Sequence, residues 1–507
     1  MDQPPAATGP AATGGAATGE AGGRFVTVQS RNLSLWQAAV EQAVRQSGPG
    51  DAPRAQLLGN PLVRAATAHA VAHRESHHFW NAAAERLREA SEQEILRHLS
   101  KHTFEQAQAA VDAGGPWEKV EDAIRRGMQT LEAQLLARLG ARRFGRIDPL
   151  WVECALIYAR YWAESGGSLT YRDWTVEGKG DPGYAVVGWR LPIPATVAVI
   201  GDWGTGMGDA EALLDQVMDQ HRPDAVVHLG DVYYAGTRDE CQANFIDVFA
   251  RAFTKAGRRV PVFTIPGNHD YYDGGVGFYA LIDALNASEA SWRQQASYFC
   301  LRSADDRWQW LGMDTGQGDA NPMHLNPAPA LRDSEVRWLL DKVDGFPGKT
   351  ILLSHHQVFS AHSTLDASSA KPYLNAALLG PFADRLGRVP VWFWGHEHNL
   401  VLYADGLEGV SRGRLVGSSA FQESLGEDPY AVVHPEVTMQ PFDGAPVLAG
   451  KIGDFYNHSY AIVTLPAPGG SASASYYQFP SWGEATAVPL PPGQKALLAT
   501  EDLGSSP

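Results

Sequence analysis

The sequence predicts an α/β domain in its C-terminal two-thirds, preceded by a helical domain. Short β-branched runs alternate with helical stretches after Gly167, a rhythm that is typical of an α/β sheet. Before that point, apolar residues recur at three- and four-residue steps, as on one face of a helix. The chain has 507 residues, which is too many for one ordinary domain.

Composition divides the chain into four predicted segments. Residues 1–24 repeat Ala, Thr, Gly and Pro, and we expect a disordered tail because they cannot bury enough apolar surface to offset chain entropy. Residues 25–167 are predicted to form the helical domain, which packs or binds a protein partner. Residues 168–484 are predicted to form the α/β domain, and the Pro- and Gly-rich residues 485–507 a flexible C-terminal tail.

Four histidines of the helical domain lie on or beside one helical face. A spacing of four residues can present imidazoles to a metal, but HRESHH is not the HExxH zinc motif. We interpret the group as a solvated or interface stripe, with metal binding or pH sensing as the alternative. These residues are His69, His73, His77 and His78.

Charge and cysteine content exclude several classes of protein. The formal net charge of −16 disfavours binding to nucleic acid or to an anionic membrane surface. Cys154, Cys241 and Cys300 lie far apart without metal-ligand spacing, and we predict buried free thiols. The N-terminal residues lack the features of a secretory signal, and no apolar run is long enough to span a bilayer. We therefore expect a cytoplasmic protein without membrane insertion.

The α/β domain opens with LTYRDWTV and YAVVGWRL, which predict a hairpin. Apolar strands are then predicted in TVAVIGDWG, AVVHLGDVYY, VPVFTIPGNHD, WQWLGMDTG, KTILLSHH, VPVWFWGHEH and GRLVGSSA. Near the end, SYAIVTL and ASYYQF predict two more strands.

Five of these strands end in side chains that commonly bind metals. The ligand crevice of an open α/β sheet lies at the carboxyl ends of its strands, so these side chains are expected to converge. A single Asp after a strand is usually a turn or helix cap, but five such strand ends together indicate a metal site. The residues are Asp202 in GDWG, Asp231 and Tyr234 in GDVYY, Asn268 and His269 in GNHD, His355 in LLSH, and His396 and His398 in GHEH.

This ligand set suits a pair of cations. Two neighbouring cations need one bridging carboxylate, for which Asp231 is the natural candidate, together with separate terminal ligands. Carboxylate and phenolate oxygens suit a hard trivalent ion, whereas imidazole and amide ligands suit a softer divalent ion. A nucleotide-binding loop in GTGMGDAEALLDQV is the competing interpretation, but Asp209 stands where the third glycine of that motif belongs.

The five segments resemble the calcineurin-like metallophosphoesterase superfamily, and specifically its purple acid phosphatase branch. The general superfamily has Asp-x-His in the first motif, and Gly204 stands in the place of that His. The purple branch lacks the His and supplies a Tyr three residues after the bridging Asp, as Tyr234 follows Asp231. GDVYYAGTRDECQANFIDVFA followed by VPVFTIPGNHD is similar to the small, tartrate-resistant type. The resemblance covers roughly Ala195 to Tyr403 and implies a four-layer αββα sandwich.

The resemblance also implies the roles of the site residues. His269 would contact phosphate and help to protonate the leaving oxygen. His362 would be a second acid, although its offset from His355 departs from the family spacing, and a solvent-exposed loop histidine is the alternative. His356 directly follows His355, so either could take the ligand position, and we choose His355. An Fe(III) site would comprise Asp202, Asp231, Tyr234 and His398, and a divalent site for Fe, Zn or Mn would comprise Asp231, Asn268, His355 and His396.

The implied activity is hydrolysis of phosphate monoesters by attack of a metal-activated hydroxide. Small molecules or proteins would carry the phosphate, and nucleic acid is not expected as a partner. One alternative is a phosphodiesterase that acts on cyclic nucleotides or phospholipid headgroups with the same fold. Another is a scaffold that binds a partner through the helical domain, although an intact ligand set argues against it.

Overall fold

The computed structural model describes residues 167–505 with gaps at 323–325, 427 and 484, and a few residues before them. Those earlier residues are Arg143, Cys154, Ile157, Tyr158, Tyr161 and Ser165. The predicted tail at 1–24 lies outside the described residues, as does the helical domain at 25–167 apart from the residues just named. The histidine stripe belongs to that undescribed part.

Strands in the described part of the chain are numbered β1 to β17 in chain order. They are β1 Val186–Leu191, β2 Ala195–Ile200, β3 Ala225–His228, β4 Val262–Thr264, β5 Phe299–Ser303, β6 Trp308–Gly312, β7 Lys349–Leu353, β8 Val391–Trp394, β9 Leu400–Leu402, β10 Gly413–Val416, β11 Pro441–Phe442, β12 Ala445–Pro446, β13 Lys451–Ile452, β14 Phe455–Tyr456, β15 His458–Leu465, β16 Ala472–Phe479 and β17 Leu497–Gly504.

Helices connect many of these strands. The α-helices are α1 Gly208–Gln216, α2 Arg238–Glu240, α3 Asp247–Ala256, α4 Val276–Leu285, α5 Asp333–Asp344 and α6 Ala376–Leu379. Two π-helical segments, Val217–His221 and Cys241–Ile246, follow α1 and α2. Short 3-10 helices lie at His269–Tyr271, Ala290–Trp292, Gly316–Asp319, Gly380–Arg388 and Leu407–Gly409. Within the described residues, no helix combines the length and apolar character that crossing a membrane requires.

Two large sheets stack face to face. One has seven strands in the order β1-β5-β6-β7-β8-β10-β9, and the other has six in the order β17-β16-β15-β2-β3-β4. The pairs β2–β3, β3–β4, β6–β7, β7–β8 and β8–β10 are parallel. Their carboxyl ends therefore gather at one edge of the stacked sheets, which is where a ligand crevice forms.

Alternating side chains build the layers. Val197 and Val199 of β2 face the core between the sheets, whereas Ala198 and Ile200 pack against α1 and α3 on the outer face. On the seven-stranded sheet, Leu352 of β7 belongs to an outer core that includes residues of α5. The arrangement has four layers, αββα, as the sequence predicts.

Two details of the predicted elements are wrong. Residues 168–175 form no strand, and β1 pairs in parallel with β5 instead of forming a hairpin. Asp173 accepts hydrogen bonds from the backbone N–H and the hydroxyl of Thr175, which fold this stretch into turns.

The predicted flexible tail at 485–507 is also wrong in part, because β17 pairs with β16 along its length. Ala499 and Leu503 of β17 are buried in the central core. Glu501 between them accepts two hydrogen bonds, at 2.8 and 2.6 Å, from the fully buried Arg414 guanidinium. The predicted free thiols are confirmed, since all three cysteines are buried without disulfides.

Candidate metal centre

The candidate site lies where the central strands of both sheets end. Strands of the six-stranded sheet lead to Asp202, Asp231 and Asn268, and strands of the seven-stranded sheet lead to His355, His396 and His398. All but one of these six side chains are buried, and His396 is half-buried.

The backbone at three of these positions is strained. Asp202, Asp231 and His396 adopt the left-handed region, with φ of 54°, 72° and 71°. Such a conformation costs a non-glycine residue about 1–3 kcal/mol and persists where its surroundings hold it in place. Asp270 holds one of them, because its Oδ2 accepts hydrogen bonds from the backbone N–H of Asp231 at 2.9 Å and of Gly267 at 2.8 Å.

Two glycines allow the loops to approach this closely. A Cβ on Gly267 would lie 2.0 Å from Oδ1 of Asp231 and 2.7 Å from Cε1 of His355. A Cβ on Gly395 would lie 2.5 Å from Oδ2 of Asp202. Both distances to Asp oxygens are far below any real contact, so larger residues at these positions would displace the carboxylates.

One cluster of ligand atoms forms around His355. Its Nε2 lies 3.1 Å from Nδ1 of His396, 3.2 Å from Oδ1 of Asn268 and 3.4 Å from Oδ2 of Asp231. The His396 Nδ1 is also 3.1 Å from the Asn268 oxygen. The ligand atoms of Asp231, His355 and His396 all lie within 4.8 Å of one another.

His355 and Asn268 direct their protons away from this cluster. Nδ1 of His355 donates to the carbonyl of Leu229 at 2.8 Å, which leaves its Nε2 with a lone pair. The amide nitrogen of Asn268 donates to the Tyr272 hydroxyl at 2.7 Å, which turns its oxygen toward the cluster. Burial, with the neighbouring His356, lowers the pKa of both His355 and His396 well below the usual value. Ligand atoms of four side chains thus converge at short range, an arrangement that a bound cation would stabilise.

A second cluster lies beside Asp202. Its Oδ1 is 3.5 Å from Nε2 of His398, and the Tyr233 hydroxyl lies 3.0 Å from each of these two atoms. Nδ1 of His398 faces Oε1 of Glu423 at 2.9 Å, and the His398 ring stacks on Phe421 with centroids 3.7 Å apart. A carboxylate behind a histidine is the usual device that orients a metal-binding imidazole.

Charge crowding connects the two clusters. Burial raises the pKa of Asp231, and the carboxylates of Asp202 and Asp270 raise it further. Burial raises the pKa of Tyr233, and Asp202 and Asp231 again add to it. A cation bound between these oxygen atoms would attract each of them and so offset their mutual repulsion. The donor set therefore fits metal binding on chemical grounds.

The tyrosine hydroxyl in the second cluster belongs to Tyr233, one residue before the Tyr234 of the sequence-based prediction. Tyr234 contributes its backbone carbonyl, 2.6 Å from Nδ1 of His269. The Arg143 guanidinium lies over the Tyr234 ring, 6.0 Å from the centroid. A spacing of three residues after Asp231 predicted Tyr234, and spacing cannot distinguish which of two adjacent tyrosines a loop turns inward.

The other sequence-derived candidates lie around these clusters. His269 is buried, its Nε2 is 3.9 Å from Oδ2 of Asp231, and burial lowers its pKa to about 3. His362 is half-buried in a pocket beside His398, and its Nδ1 lies 3.1 Å from the Ala431 carbonyl.

His356 belongs to a neighbouring group, in which its ligand atom and those of Asp319 and His396 lie within 4.8 Å of one another. Its Nδ1 lies 3.1 Å from the Thr315 hydroxyl and its Nε2 lies 3.4 Å from Oδ2 of Asp319. Its ring still lies near that of His396, with centroids 4.3 Å apart. His355 remains the proposed ligand of the two, and the hydrogen-bond partners of His356 belong to the loop after β6.

Comparisons with known proteins find one matching family and several similar solved structures. Residues 195–400 match the model of the calcineurin-like phosphoesterase family. A comparison with curated proteins finds no match in sequence. Among solved structures, GAP50, the anchor in the inner membrane complex of Plasmodium, is similar at 14% identity and a TM-score of 0.40, over 62% of this chain and 89% of that one.

Two further structures are similar over part of their length. The purple acid phosphatase PPD1 from yellow lupin (Lupinus luteus) seeds shares 14% identity at a TM-score of 0.36, over 57% of this chain and 52% of that one. A putative 5′-nucleotidase from Staphylococcus aureus shares 11% identity at a TM-score of 0.29, over 50% of this chain and 55% of that one. Residues 195–400 form a calcineurin-like phosphoesterase domain, and the protein is a metal-dependent phosphoric ester hydrolase.

Proposed function

We propose that the protein hydrolyses phosphate monoesters at a centre of two metal ions. The observation that carries this proposal is the convergence of ligand atoms from Asp231, Asn268, His355 and His396, with contacts of 3.1–3.4 Å between them. A second group is formed by Asp202, Tyr233 and His398, whose polar atoms lie 3.0–3.5 Å from one another. Asp231 is the proposed bridge.

The first group would hold a divalent ion, Fe, Zn or Mn, and the second would hold Fe(III). Imidazole and amide donors suit the divalent ion, and carboxylate and phenolate donors suit the trivalent one. Tyr233 and Tyr234 are both candidates for the phenolate, and the contacts of Tyr233 with Asp202 and His398 favour it. When bound, such ions acidify a coordinated water and neutralise the charge of the phosphate.

The protein's own residues would orient and protonate the substrate. His269 remains the proposed phosphate contact, since its Nε2 faces the Asp231 side of the site. Hydrogen bonding of His362 Nδ1 to the Ala431 carbonyl leaves Nε2 as the atom that exchanges a proton with the leaving oxygen. Glu423 fixes the tautomer and orientation of His398.

Substitution of the two adjacent histidines tests the centre. We expect His355→Ala to lose bound metal and to lower kcat by more than the roughly 10–100-fold that loss of a supporting residue costs. His356→Ala is the matched control and should retain two equivalents of metal. Metal analysis and turnover of p-nitrophenyl phosphate measure both. Two equivalents of metal in His355→Ala would contradict the proposed ligand set.

The choice of substrate class is tested separately. Wild-type protein loaded with metal should hydrolyse p-nitrophenyl phosphate with a higher kcat/KM than bis(p-nitrophenyl) phosphate. Preference for the bis ester would instead assign the protein to the phosphodiesterases, with the same metal centre.

A further inference from the structure

A cavity of about 170 Å³ adjoins the second metal cluster. We call it the acidic pocket. Its lining includes His398, a proposed metal ligand, and three carboxylates. Its polar lining includes His362, Glu397, His398, Asn399, Glu423 and Asp428.

Four polar atoms of this lining are buried without a hydrogen-bond partner. They are Nε2 of His362, Oε2 of Glu397, Oδ1 of Asn399 and Oε2 of Glu423. Glu397, Asn399 and Glu423 are 5%, 1% and 2% exposed, so bulk water does not satisfy them. Buried polar groups normally have partners, and a buried acceptor without one is destabilising.

All four unpartnered atoms are hydrogen-bond acceptors. Nδ2 of Asn399 donates to the Pro429 carbonyl at 2.6 Å, which identifies the free atom as the amide oxygen. His362 uses its Nδ1 toward a backbone carbonyl, so its Nε2 carries the lone pair. The other carboxylate oxygens are already engaged, Glu397 by the Ser360 hydroxyl at 2.5 Å and Glu423 by His398 at 2.9 Å.

The pocket is also negatively charged. Glu397, Glu423 and Asp428 line it, and its lining residues in the described part of the chain include neither Lys nor Arg. Several acceptors and an excess of negative charge fit a ligand that carries a positive charge and several N–H donors. A primary ammonium has both properties.

A bare metal ion fits less well. In the described residues, the groups of three or more His, Cys, Asp or Glu with ligand atoms within 4.8 Å of one another include neither Glu397 nor Glu423. The cavity is also much larger than one ion needs, since a water molecule occupies about 30 Å³ of liquid volume.

We propose that the acidic pocket binds the ammonium group of an amino-alcohol phosphate ester. This inference rests on the proposed function and names its substrate class. His398 belongs to both the pocket and the second cluster, so an ester whose phosphate lies at the centre can extend its alcohol part into the pocket.

A pair of substrates of equal size tests the proposal. 2-Aminoethyl phosphate and n-propyl phosphate differ by an ammonium in place of a methyl group. The metal-loaded wild-type protein should show a kcat/KM ratio that favours the amine by about tenfold or more, the range expected for hydrogen bonds to charged groups. A ratio near one would overturn the proposal without any variant. Failure to hydrolyse either ester would instead overturn the proposed function and this inference with it.

Variants locate the ammonium. Glu397→Gln should lower the ratio toward one, and Asp428→Asn, an exposed and structurally mild change, should lower it by about two- to fivefold. Glu177→Gln removes the same charge from an exposed position and should leave the ratio unchanged. An unchanged ratio in Glu397→Gln would place the ammonium elsewhere. A third equivalent of metal in the wild type that Glu397→Gln lacks would show that the pocket binds an ion.

Discussion

The side chains of the centre depend on groups behind them for their protonation. His355 donates its Nδ1 proton to the Leu229 carbonyl, so its Nε2 is free to bind a cation. Burial opposes protonation of His398, but Asp202 and Glu423 outweigh it and raise its pKa to about 10. A metal ion at the second cluster would therefore take the place of a proton. Glu423 therefore supports the proposed ligand His398 by holding its imidazole in position.

The two adjacent tyrosines give a prediction at the residue scale. If iron(III) occupies the second cluster, a phenolate ligand gives the oxidised protein a violet colour. Tyr233→Phe should remove that colour, because the Tyr233 hydroxyl lies 3.0 Å from both Asp202 and His398. A visible spectrum of the oxidised, iron-loaded variant measures this outcome.

Tyr234→Phe is the matched control for that spectrum and should keep the band. The reverse result, with colour lost only in Tyr234→Phe, would support the spacing-based prediction and reject Tyr233 as the ligand. A colourless wild type that carries two zinc or manganese ions would reject iron but not hydrolysis.

The sequence predicted which ligand-type residues follow the strands. It predicted only some of the contacts that these residues make with one another. Asp202, Asn268 and His396 were predictable from the sequence because each follows an apolar strand. Glu423 lies 25 residues beyond His398 in the loop after β10, so no local spacing links the two. The Tyr233 hydroxyl reaches Asp202 and His398 because of the conformation of the loop after β3, which residue spacing does not predict.

At the scale of elements, apolar β-branched runs made the central strands predictable, because they must be buried on both faces. Strand β17 was missed because Pro and Gly dominate the composition before it. The residues of β17 that face the core are Ala499, Glu501 and Leu503. The Glu501 carboxylate is stable there because it forms an ion pair with buried Arg414. Arg414 lies 87 residues from Glu501 in the sequence, so a local sequence pattern cannot predict that the two form an ion pair.

A buried carboxylate links α1 to the C-terminal part of the domain. Oδ2 of Asp209 lies 2.8 Å from Nε2 of His458 and accepts backbone N–H groups of Trp482 at 2.9 Å and Gly483 at 2.5 Å. We expect Asp209→Ala to lower the free energy of unfolding by about 3–5 kcal/mol, the cost of breaking a buried pair. Urea unfolding measures this change.

Asp215→Ala, on the same helix, is the control. It removes a surface ion pair with Lys255 and should lower the free energy of unfolding by no more than about 1 kcal/mol.

The pH dependence of unfolding provides a second test of the role of Asp209. Burial opposes ionisation of Asp209, but His458 and the backbone donors outweigh it and lower its pKa. Its contribution to stability is therefore complete above the unfolded value of about 3.9 and is lost as pH falls further. A wild-type advantage over Asp209→Ala that persists undiminished well below that pH would contradict the assignment.

For the whole molecule, the candidate centre joins the two sheets. Asp231 and Asn268 follow strands of the six-stranded sheet, and His355 and His396 follow strands of the seven-stranded sheet. Without a cation, lone pairs and carboxylates from both sheets face one another at short range. Metal ions that bind the folded state alone should therefore stabilise the domain as a unit.

Removal of metal should lower the melting temperature of the whole domain. At a free metal concentration of about 1,000 times Kd, one site contributes about 4 kcal/mol, so the shift should reach several degrees or more. Calorimetry of the chelated protein, followed by titration with Zn²⁺ or Mn²⁺, measures the loss and its recovery. The chelator should lower the melting temperature of His355→Ala by less than that of the wild type, because this variant lacks a ligand of the first site. A chelator effect of equal size in that variant would mean that the stabilising ion binds somewhere other than between the sheets.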